Sequence, residues 1–239
     1  MSTFQKTVFW LSLLTLASGW LIVILFDILN LFALGEVVIE YSVREASFFV
    51  IIFSEARPIE WAQWFCLMTA CISSAYVSAD RSSKQSERGF FLLFSVLFGL
   101  MLIEDAGNLR HQMIGIYDSI SPNGGIRNLI TIVYYFALSL LPLYAIFVYG
   151  LDTIENKRTW YIFFAGLLFY ALASFSSATG FLWYGTAGEI LNSNLFGGRV
   201  VFELADTGPP GVWIMDFLIE ETLELLGALA FVLFFIKYN

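Results

Sequence analysis

The chain has 239 residues, of which 59% are hydrophobic and only 13% are charged. A soluble domain carries about 25% charged residues and can bury only part of its surface, so this composition excludes a water-soluble fold, and its apolar content excludes intrinsic disorder. The balance of 12 Lys and Arg against 20 Asp and Glu argues against a nucleic-acid partner. The sequence therefore predicts an all-α integral membrane protein whose first partner is the lipid bilayer.

Six stretches of the sequence are long enough to cross a membrane as helices. A spanning helix needs about 20 mostly apolar residues. The windows are Val8–Leu34, Ile59–Ala79, Gly89–Tyr117, Asn128–Gly150, Thr159–Tyr184 and Val212–Ile236. The first follows Lys6 as a signal peptide would, but its apolar run is too long for a cleaved segment, so we expect a retained helix. Residues 1–239 are thus predicted to form one transmembrane domain, a six-helix bundle.

Two segments between these windows are longer than turns. Residues 35–58 contain the apolar run Phe48–Phe53 between charged flanks, which is too short to span and predicts an interfacial helix lying over the bundle. Residues 185–211 predict a long outer loop, with a small hairpin or lid at the alternating run Arg199–Leu204. Loops of this length are usually functional or disordered.

The distribution of Lys and Arg predicts the orientation of the bundle. Cytoplasmic loops carry the excess of these residues. One side of the predicted topology has Lys6, Arg81, Lys84, Arg88, Lys157, Arg158 and Lys237, and the other has Arg44, Arg57, Arg127 and Arg199. Both termini are therefore predicted to be cytoplasmic, in a membrane of the plasma-membrane type, and the outer loops are predicted to be acidic.

Nine ionisable residues fall inside the predicted membrane segments. They are Asp27, Glu104, Asp105, Arg110, His111, Asp216, Glu220, Glu221 and Glu224. One charge at mid-bilayer costs about 2.5–3.5 kcal/mol on insertion scales. We therefore expect these side chains to face the bundle interior, where they are paired, protonated or bound to a cation.

The spacing of these residues predicts that several meet. At 1.5 Å per residue, Glu104 lies about 8 Å below the outer surface of a core about 30 Å thick, level with Asp216 and Glu220. Two helix faces carry the polar side chains: Glu104, Asn108 and His111 form one stripe, and Asp216, Glu220 and Glu224 form the other, with Glu221 at its edge. Facing stripes of this kind build metal sites in helix bundles.

We therefore predict a divalent metal site of unknown identity in the outer half of the membrane. Its predicted ligands are Glu104, His111, Glu220 and Glu224, with support from Asp27, Asp105, Asn108, Arg110, Asp216 and Glu221. Oxygen ligands and one imidazole suit Mn, Fe, Zn, Ca or Mg. A structural alternative stays open, in which Arg110 pairs with Asp105 or with an acid of the last helix, and Asp27 caps a kink or pairs with a neighbour.

Three functions fit this pattern. The first is a protein that binds or handles a cation or a proton at the buried acids. The second is a metal-dependent membrane enzyme acting on a lipid-type substrate, with a Glu as general base. The third is a non-catalytic subunit or assembly factor of a larger membrane complex, contacting partners through aromatic faces and through the small-residue pairs Ala70/Ser74 and Ala173/Ser177.

Other cofactor chemistries are excluded by residue type. A retinal Schiff base needs a Lys within the membrane, whereas Lys6, Lys84, Lys157 and Lys237 all lie in predicted loops or termini. Bis-His haem ligation needs two His residues in the chain, which has one. The sequence contains no phosphate-binding or dinucleotide-binding motif, so we do not expect a nucleotide cofactor.

Overall fold

A computed structural model of the chain describes residues 2–31, 48–54, 56–107, 109–120, 124–150, 153, 157–198 and 210–238. Side chains at some of these positions, including Arg110 and His111, lie outside the description. Over the described ranges every regular element is helical and no strand occurs. The all-α prediction is confirmed for these residues.

Helices follow one another along the chain with short interruptions, and three stretches have π-helical hydrogen bonding. In chain order the described helical elements are α1 (Ser2–Ile22), π1 (Val23–Ile28), α2 (Phe48–Phe53), α3 (Pro58–Ala79), α4 (Gln85–Gly107), α5 (Leu109–Ile120), α6 (Gly124–Ala145), π2 (Ile146–Gly150), α7 (Lys157–Leu195), α8 (Pro210–Trp213), π3 (Ile214–Glu220) and α9 (Glu221–Tyr238).

Four helices in the described part are long and apolar enough to cross a membrane. They are Thr3–Ile28 in α1 and π1, Gln85–Gly107 in α4, Asn128–Gly150 in α6 and π2, and Thr159–Leu195 in α7. Helices α3 and α9 are of similar length but are not among these four; α3 carries Glu60 and Gln63, and α9 carries Glu221, Glu224 and Lys237. Membrane-spanning character is therefore found for four helices, and the count of six stays a prediction.

Helices α3 and α9 lie at the centre of the bundle. Helix α9 packs against α7, α3 and α1, and α3 packs against α4, α9 and α1. The α3 side chains Gln63, Ser73 and Ser74 are at most 1% exposed. Large apolar side chains are exposed on the other helices, for example Trp10 of α1 and Phe147 of π2. Large apolar side chains on the outer surface of the bundle suit a lipid environment.

The two ends of the bundle differ in chemistry. Gln5 Nε2 donates to Ser73 Oγ at 2.9 Å, and the Tyr238 hydroxyl donates to Glu87, so the beginnings of α1 and α4 lie with the ends of α3 and α9. An aromatic cluster packs the α4–α7–α9 contact at this end; it comprises Phe90, Phe91, Phe94, Phe98, Trp160, Phe163, Phe231, Phe234 and Phe235. Most of the buried acids lie toward the opposite end, where Trp20 Nε1 donates to Thr222 Oγ1 at 3.0 Å.

Several predicted boundaries need correction. The first helix is described only to Ile28 in π1, short of Leu34, and residues 32–47 lie outside the description. The predicted window Gly89–Tyr117 is helical on both sides of Asn108, as α4 to Gly107 and as α5 from Leu109, and Asn108 itself lies outside the described residues. The last window divides into α8, π3 and α9.

Helix α7 continues to Leu195, well beyond the predicted end at Tyr184. The sequence becomes less apolar after Tyr184, which marks the end of a spanning length but not the end of a helix. The helix terminates where Gly197 and Gly198 adopt positive φ angles of 61° and 71°, and Gly198 N–H donates to the Asn192 carbonyl at 2.9 Å. Glycine is the residue that adopts this conformation at helix ends. The predicted outer loop is therefore shorter, and its proposed hairpin at 199–204 lies outside the described residues.

The predicted short helix at 48–53 is present as α2. Its side chains Phe49, Val50 and Phe53 are buried, and the helix packs against α1, α3, π1 and π3. Phe53 stacks edge-on against Trp20 of α1, with ring centroids 5.9 Å apart. Helix α2 therefore packs across the acidic end of the bundle.

Candidate functional site

Gln63 of α3 connects two carboxylates from different helices. Its Nε2 donates to Asp105 Oδ2 of α4 at 2.8 Å and to Glu224 Oε2 of α9 at 2.7 Å. The Gln63 side chain is only 1% exposed. One amide group thus holds two acidic side chains within hydrogen-bonding distance of the same nitrogen.

A small cavity adjoins this contact; we call it the Gln63 cavity. Its volume is about 30 Å³, and its polar wall comprises Gln63, Glu104, Asp105, Tyr135, Tyr170, Ser174 and Glu224. A cavity of roughly 10–15 Å³ is enough for one water molecule. The Gln63 cavity therefore has room for a water molecule or a small ion among its carboxylates.

Two polar atoms in the cavity wall have no hydrogen-bond partner. They are Gln63 Oε1 and the Tyr170 hydroxyl, and both are buried. Nearby, Glu221 Oε2 is buried without a hydrogen bond. Such atoms are uncommon because an unsatisfied buried polar group costs about 1–3 kcal/mol. A ligand that donates to Gln63 Oε1 would remove that cost.

The acids of this region act on one another electrostatically. Glu224, Glu60 and Glu104 all lie within electrostatic range of Asp105. Glu221 lies within the same range of Glu224 and Asp105. Glu60, which is 5% exposed, also accepts a hydrogen bond from the Ala56 backbone N–H. Ionised together in a low-dielectric interior, these groups would repel strongly, so protons or a cation would stabilise the arrangement.

Glu220 has a different environment from Glu224. The Tyr184 hydroxyl of α7 donates to Glu220 Oε2 at 2.5 Å, and Glu220 is 5% exposed. Asp216, Glu220 and Glu224 were predicted to share one stripe at α-helical spacing. Residues 214–220 are π-helical instead, and i→i+5 hydrogen bonding changes which side chains share a face. Of these three acids, only Glu224 lines the Gln63 cavity.

Asp27 lies at the end of the bundle and caps α2. Its Oδ1 accepts from Phe48 N–H at 2.9 Å, and its Oδ2 accepts from Phe49 N–H at 2.8 Å. A carboxylate is stabilised by the free N–H groups of a helix start. Asp27 was considered as a supporting metal ligand or as a structural residue. The structure shows it in a structural contact, with the start of a neighbouring helix.

The structure brings only part of the predicted metal site together. Glu104, Asp105 and Glu224 line the Gln63 cavity, and Glu221 lies near it. Asp216 is half-buried in π3. Asn108 and the side chains of Arg110 and His111 lie outside the described part of the chain. Among described residues, no group of three or more His, Cys, Asp and Glu side chains is arranged to hold a metal ion, so the predicted ligand set stays a prediction.

Sequence reasoning missed the residues that organise the cavity. Gln63 and Tyr170 carry no formal charge, and Glu60 was not among the nine ionisable residues assigned to the membrane segments. A signal was available in α3, where Glu60 and Gln63 are three residues apart and therefore share a helix face. Two polar residues on one face of an apolar helix predict an interior contact.

A larger apolar cavity of about 320 Å³ lies beside the Gln63 cavity. It is formed by α4, α6 and α7, with Phe231 of α9 at its inner wall. Five residues line both cavities: Met101, Tyr135, Leu138, Tyr170 and Ser174. The two cavities are therefore adjacent, one acidic and one apolar.

The predicted small-residue faces lie within the chain. Ala70, Ser74 and Ala173 are buried, and Ser74 Oγ donates to the Phe91 carbonyl of α4 at 2.7 Å. Another close approach of two helices lies at Gly166 of α7 and Gly227 of α9. A Cβ added at either glycine would lie 3.1 Å from the carbonyl oxygen of the other. Small residues at this contact allow the α7 and α9 backbones to approach closely.

No protein-family model, curated protein or solved structure matches this chain. The fold and the chemistry of the site are therefore the basis for assigning a function.

Proposed function

We propose that this chain is a multi-pass membrane protein that binds a cation or a proton in the Gln63 cavity. The observation that carries the proposal is the position of Gln63, whose one amide nitrogen donates to both Asp105 and Glu224 while its Oε1 is buried without a partner. Hydrogen-bond acceptors outnumber donors around this cavity. A proton or a cation supplies what the site lacks.

The proposed topology has six spanning helices with both termini cytoplasmic. At 1.5 Å per residue, the 22 residues of α3 extend about 33 Å, enough for a hydrocarbon core of about 30 Å. The excess of Lys and Arg on one side supports the orientation. In this topology the Gln63 cavity lies in the outer half of the membrane.

Binding has a simple mechanism in this geometry. Rotation of the Gln63 amide by half a turn would exchange Nε2 for Oε1, so that the amide oxygen faces Asp105 and Glu224. Three oxygens would then surround one point, which suits a hard cation. With a proton as ligand, Asp105 and Glu224 share it, and Gln63 keeps its orientation.

The contacts support binding more than conduction. Beyond the Gln63 cavity, the opposite end of the bundle is packed by the aromatic cluster around Phe94, Phe163 and Phe234. A dry aromatic contact offers no partners to a moving ion. We therefore expect reconstituted protein to show no cation flux above that of empty liposomes.

Ligand binding to the purified protein in nanodiscs tests the proposal. Infrared difference spectra report carboxyl protonation on acidification and carboxylate shifts on adding Na⁺, Ca²⁺ or Mn²⁺. We expect one of these signals in the wild type and its loss in Asp105→Asn and Glu224→Gln, with no loss in Glu189→Gln, a variant of an exposed carboxylate on α7. A wild type whose only carboxyl signals match those of exposed groups would overturn the proposal.

A membrane enzyme acting on a lipid-type substrate is the second candidate. The apolar cavity beside the carboxylates favours it, because a lipid chain and a general base would then be neighbours. Lipid turnover by the protein in nanodiscs separates the candidates, since cation binding alone releases no product: product release by the wild type that is lost in Glu104→Gln favours the metal enzyme. The same measurement on Glu189→Gln is the control.

A further inference from the structure

We propose that the two adjacent cavities together bind one single-chain amphiphile with a primary-amine head. The ammonium would lie in the Gln63 cavity, and the chain would lie between α4, α6 and α7 in the apolar cavity. This inference rests on the proposed function, because the ammonium is the cation that the carboxylates bind.

The cavities share a wall that would contact the junction of head and chain. Met101, Leu138 and Tyr170 line both cavities. The Tyr170 hydroxyl is buried there without a hydrogen-bond partner. A ligand whose polar group meets its apolar chain at this level would place an acceptor or donor beside that hydroxyl.

The acidic part of the site is rich in acceptors. Glu104, Asp105 and Glu224 supply carboxylate oxygens, and Gln63 Oε1 is an acceptor without a partner.

These acceptors select among head groups. A primary ammonium carries a positive charge and three donors, which matches carboxylates and carbonyls together. An alcohol offers one donor and no charge, and a carboxylate or phosphate head would be repelled by the acids. Charge and hydrogen-bond complementarity therefore favour the amine.

The apolar cavity has the size and the opening that a chain requires. Its volume of about 320 Å³ is at the lower end of the roughly 300–1,000 Å³ found for ligand pockets. The lining residues Phe136 and Phe175 are 64% and 66% exposed, so the cavity opens on the outer surface of the bundle. In a bilayer that surface meets lipid, and a chain would enter directly from the hydrocarbon phase.

Photo-crosslinking in nanodiscs tests the inference. The probes are three C12 chains with the same diazirine, ending in a primary amine, an alcohol or a carboxylate, and mass spectrometry maps the labelled residues. We expect the amine probe to label α6 and α7 residues of the apolar cavity at least about tenfold more than the alcohol probe, a difference of about 1.4 kcal/mol. The carboxylate probe should give the least labelling.

Variants assign the labelling to the two cavities. Ala171→Phe fills the apolar cavity and should abolish labelling; Ala178→Leu serves the same purpose if the first variant fails to fold. Asp105→Asn should reduce the preference for the amine over the alcohol. Leu182→Phe, at a 71% exposed position of α7 outside the cavity, is the control for added bulk and should label as the wild type does.

Equal labelling by all three probes would overturn the inference, since it would show chain binding without recognition of the amine. Labelling that persists in the filled-cavity variants would overturn it as well. If protons or small cations bind while the amine probe does not label the cavity, the inference fails and the proposed function stands. If neither binds, both fail.

Discussion

The Tyr184 hydroxyl donates a 2.5 Å hydrogen bond to Glu220 Oε2, which links α7 to the π-helical segment that precedes α9. Ser176 Oγ lies 3.0 Å from the same hydroxyl. This contact gives a buried carboxyl group of the membrane domain a neutral partner.

Removal of this hydroxyl should destabilise the fold. Tyr184→Phe leaves Glu220 buried without its donor, and we expect a loss of about 1–2 kcal/mol in the free energy of unfolding. Unfolding by SDS titration in mixed micelles measures it. The control is Tyr161→Phe at a 71% exposed position, which should change stability by less than about 0.5 kcal/mol. Equal effects of the two substitutions would contradict the role assigned to Tyr184.

Added bulk at the α7–α9 glycine contact should also destabilise the fold. A Cβ at Gly227 would lie 2.5 Å from Tyr170 Cδ2, and one at Gly166 would lie 2.7 Å from Phe231 Cε1. We expect Gly166→Ala and Gly227→Ala each to lower the free energy of unfolding by about 1–3 kcal/mol.

Gly115 provides a control of opposite sign for these alanines. An added Cβ there meets nothing within 4 Å, so Gly115→Ala should stabilise α5 by about 0.5–1 kcal/mol through helix propensity. Thermal unfolding of the three variants in one detergent compares them. A loss of stability at all three positions would indicate that alanine acts through the backbone and not through the α7–α9 contact.

The cap on α2 should depend on the Asp27 carboxylate. Asp27→Ala removes acceptors from both Phe48 N–H and Phe49 N–H, and we expect a loss of about 0.5–2 kcal/mol in unfolding free energy. Asp27→Asn keeps one acceptor and should lose less. Differential scanning fluorimetry measures both against Glu189→Ala, an exposed position. If the alanine and asparagine variants match the control, the cap contributes nothing.

The turn that follows α3 should show a depressed carboxyl pKa. The Ser82 backbone N–H and hydroxyl donate to Asp80 Oδ1 at 2.9 and 2.8 Å, and Arg88 lies nearby, so the pKa of Asp80 is lowered below 3.8. Because the folded pKa is lowered, its stabilising contribution is present above the ordinary pKa and is lost as pH falls through the folded value. NMR titration of the Asp80 carboxyl measures this pKa. Ser82→Ala should raise it only partly, since the backbone donor stays, and a pKa unchanged by that variant would contradict the hydroxyl contact.

The sequence predicted the location of helices where composition and length alone determine it. Helix α4 was recognised because Phe90–Ile103 carries no charge, and the short helix at Phe48–Phe53 was recognised because its charged flanks bound an apolar run. Helix ends were less predictable, since Tyr184 marks a change in polarity while Gly197 and Gly198 terminate the helix.

The candidate site was predictable only in part. Glu104, Asp105 and Glu224 stand out because a charge in an apolar window is costly. Gln63 and Tyr170 do not, because an uncharged polar residue is tolerated in many helices. The stripe containing Glu220 assumed 3.6 residues per turn, and π3 does not keep that period.

The sequence by itself determined the class of this protein, because the free energy of placing helices in a bilayer depends on the composition of each segment and not on its neighbours. It also determined that acids lie within those segments. Only the tertiary structure decided which groups meet. Gln63 contacts carboxylates 42 and 161 residues away, and such contacts depend on how α3, α4 and α9 pack, which no local periodicity encodes.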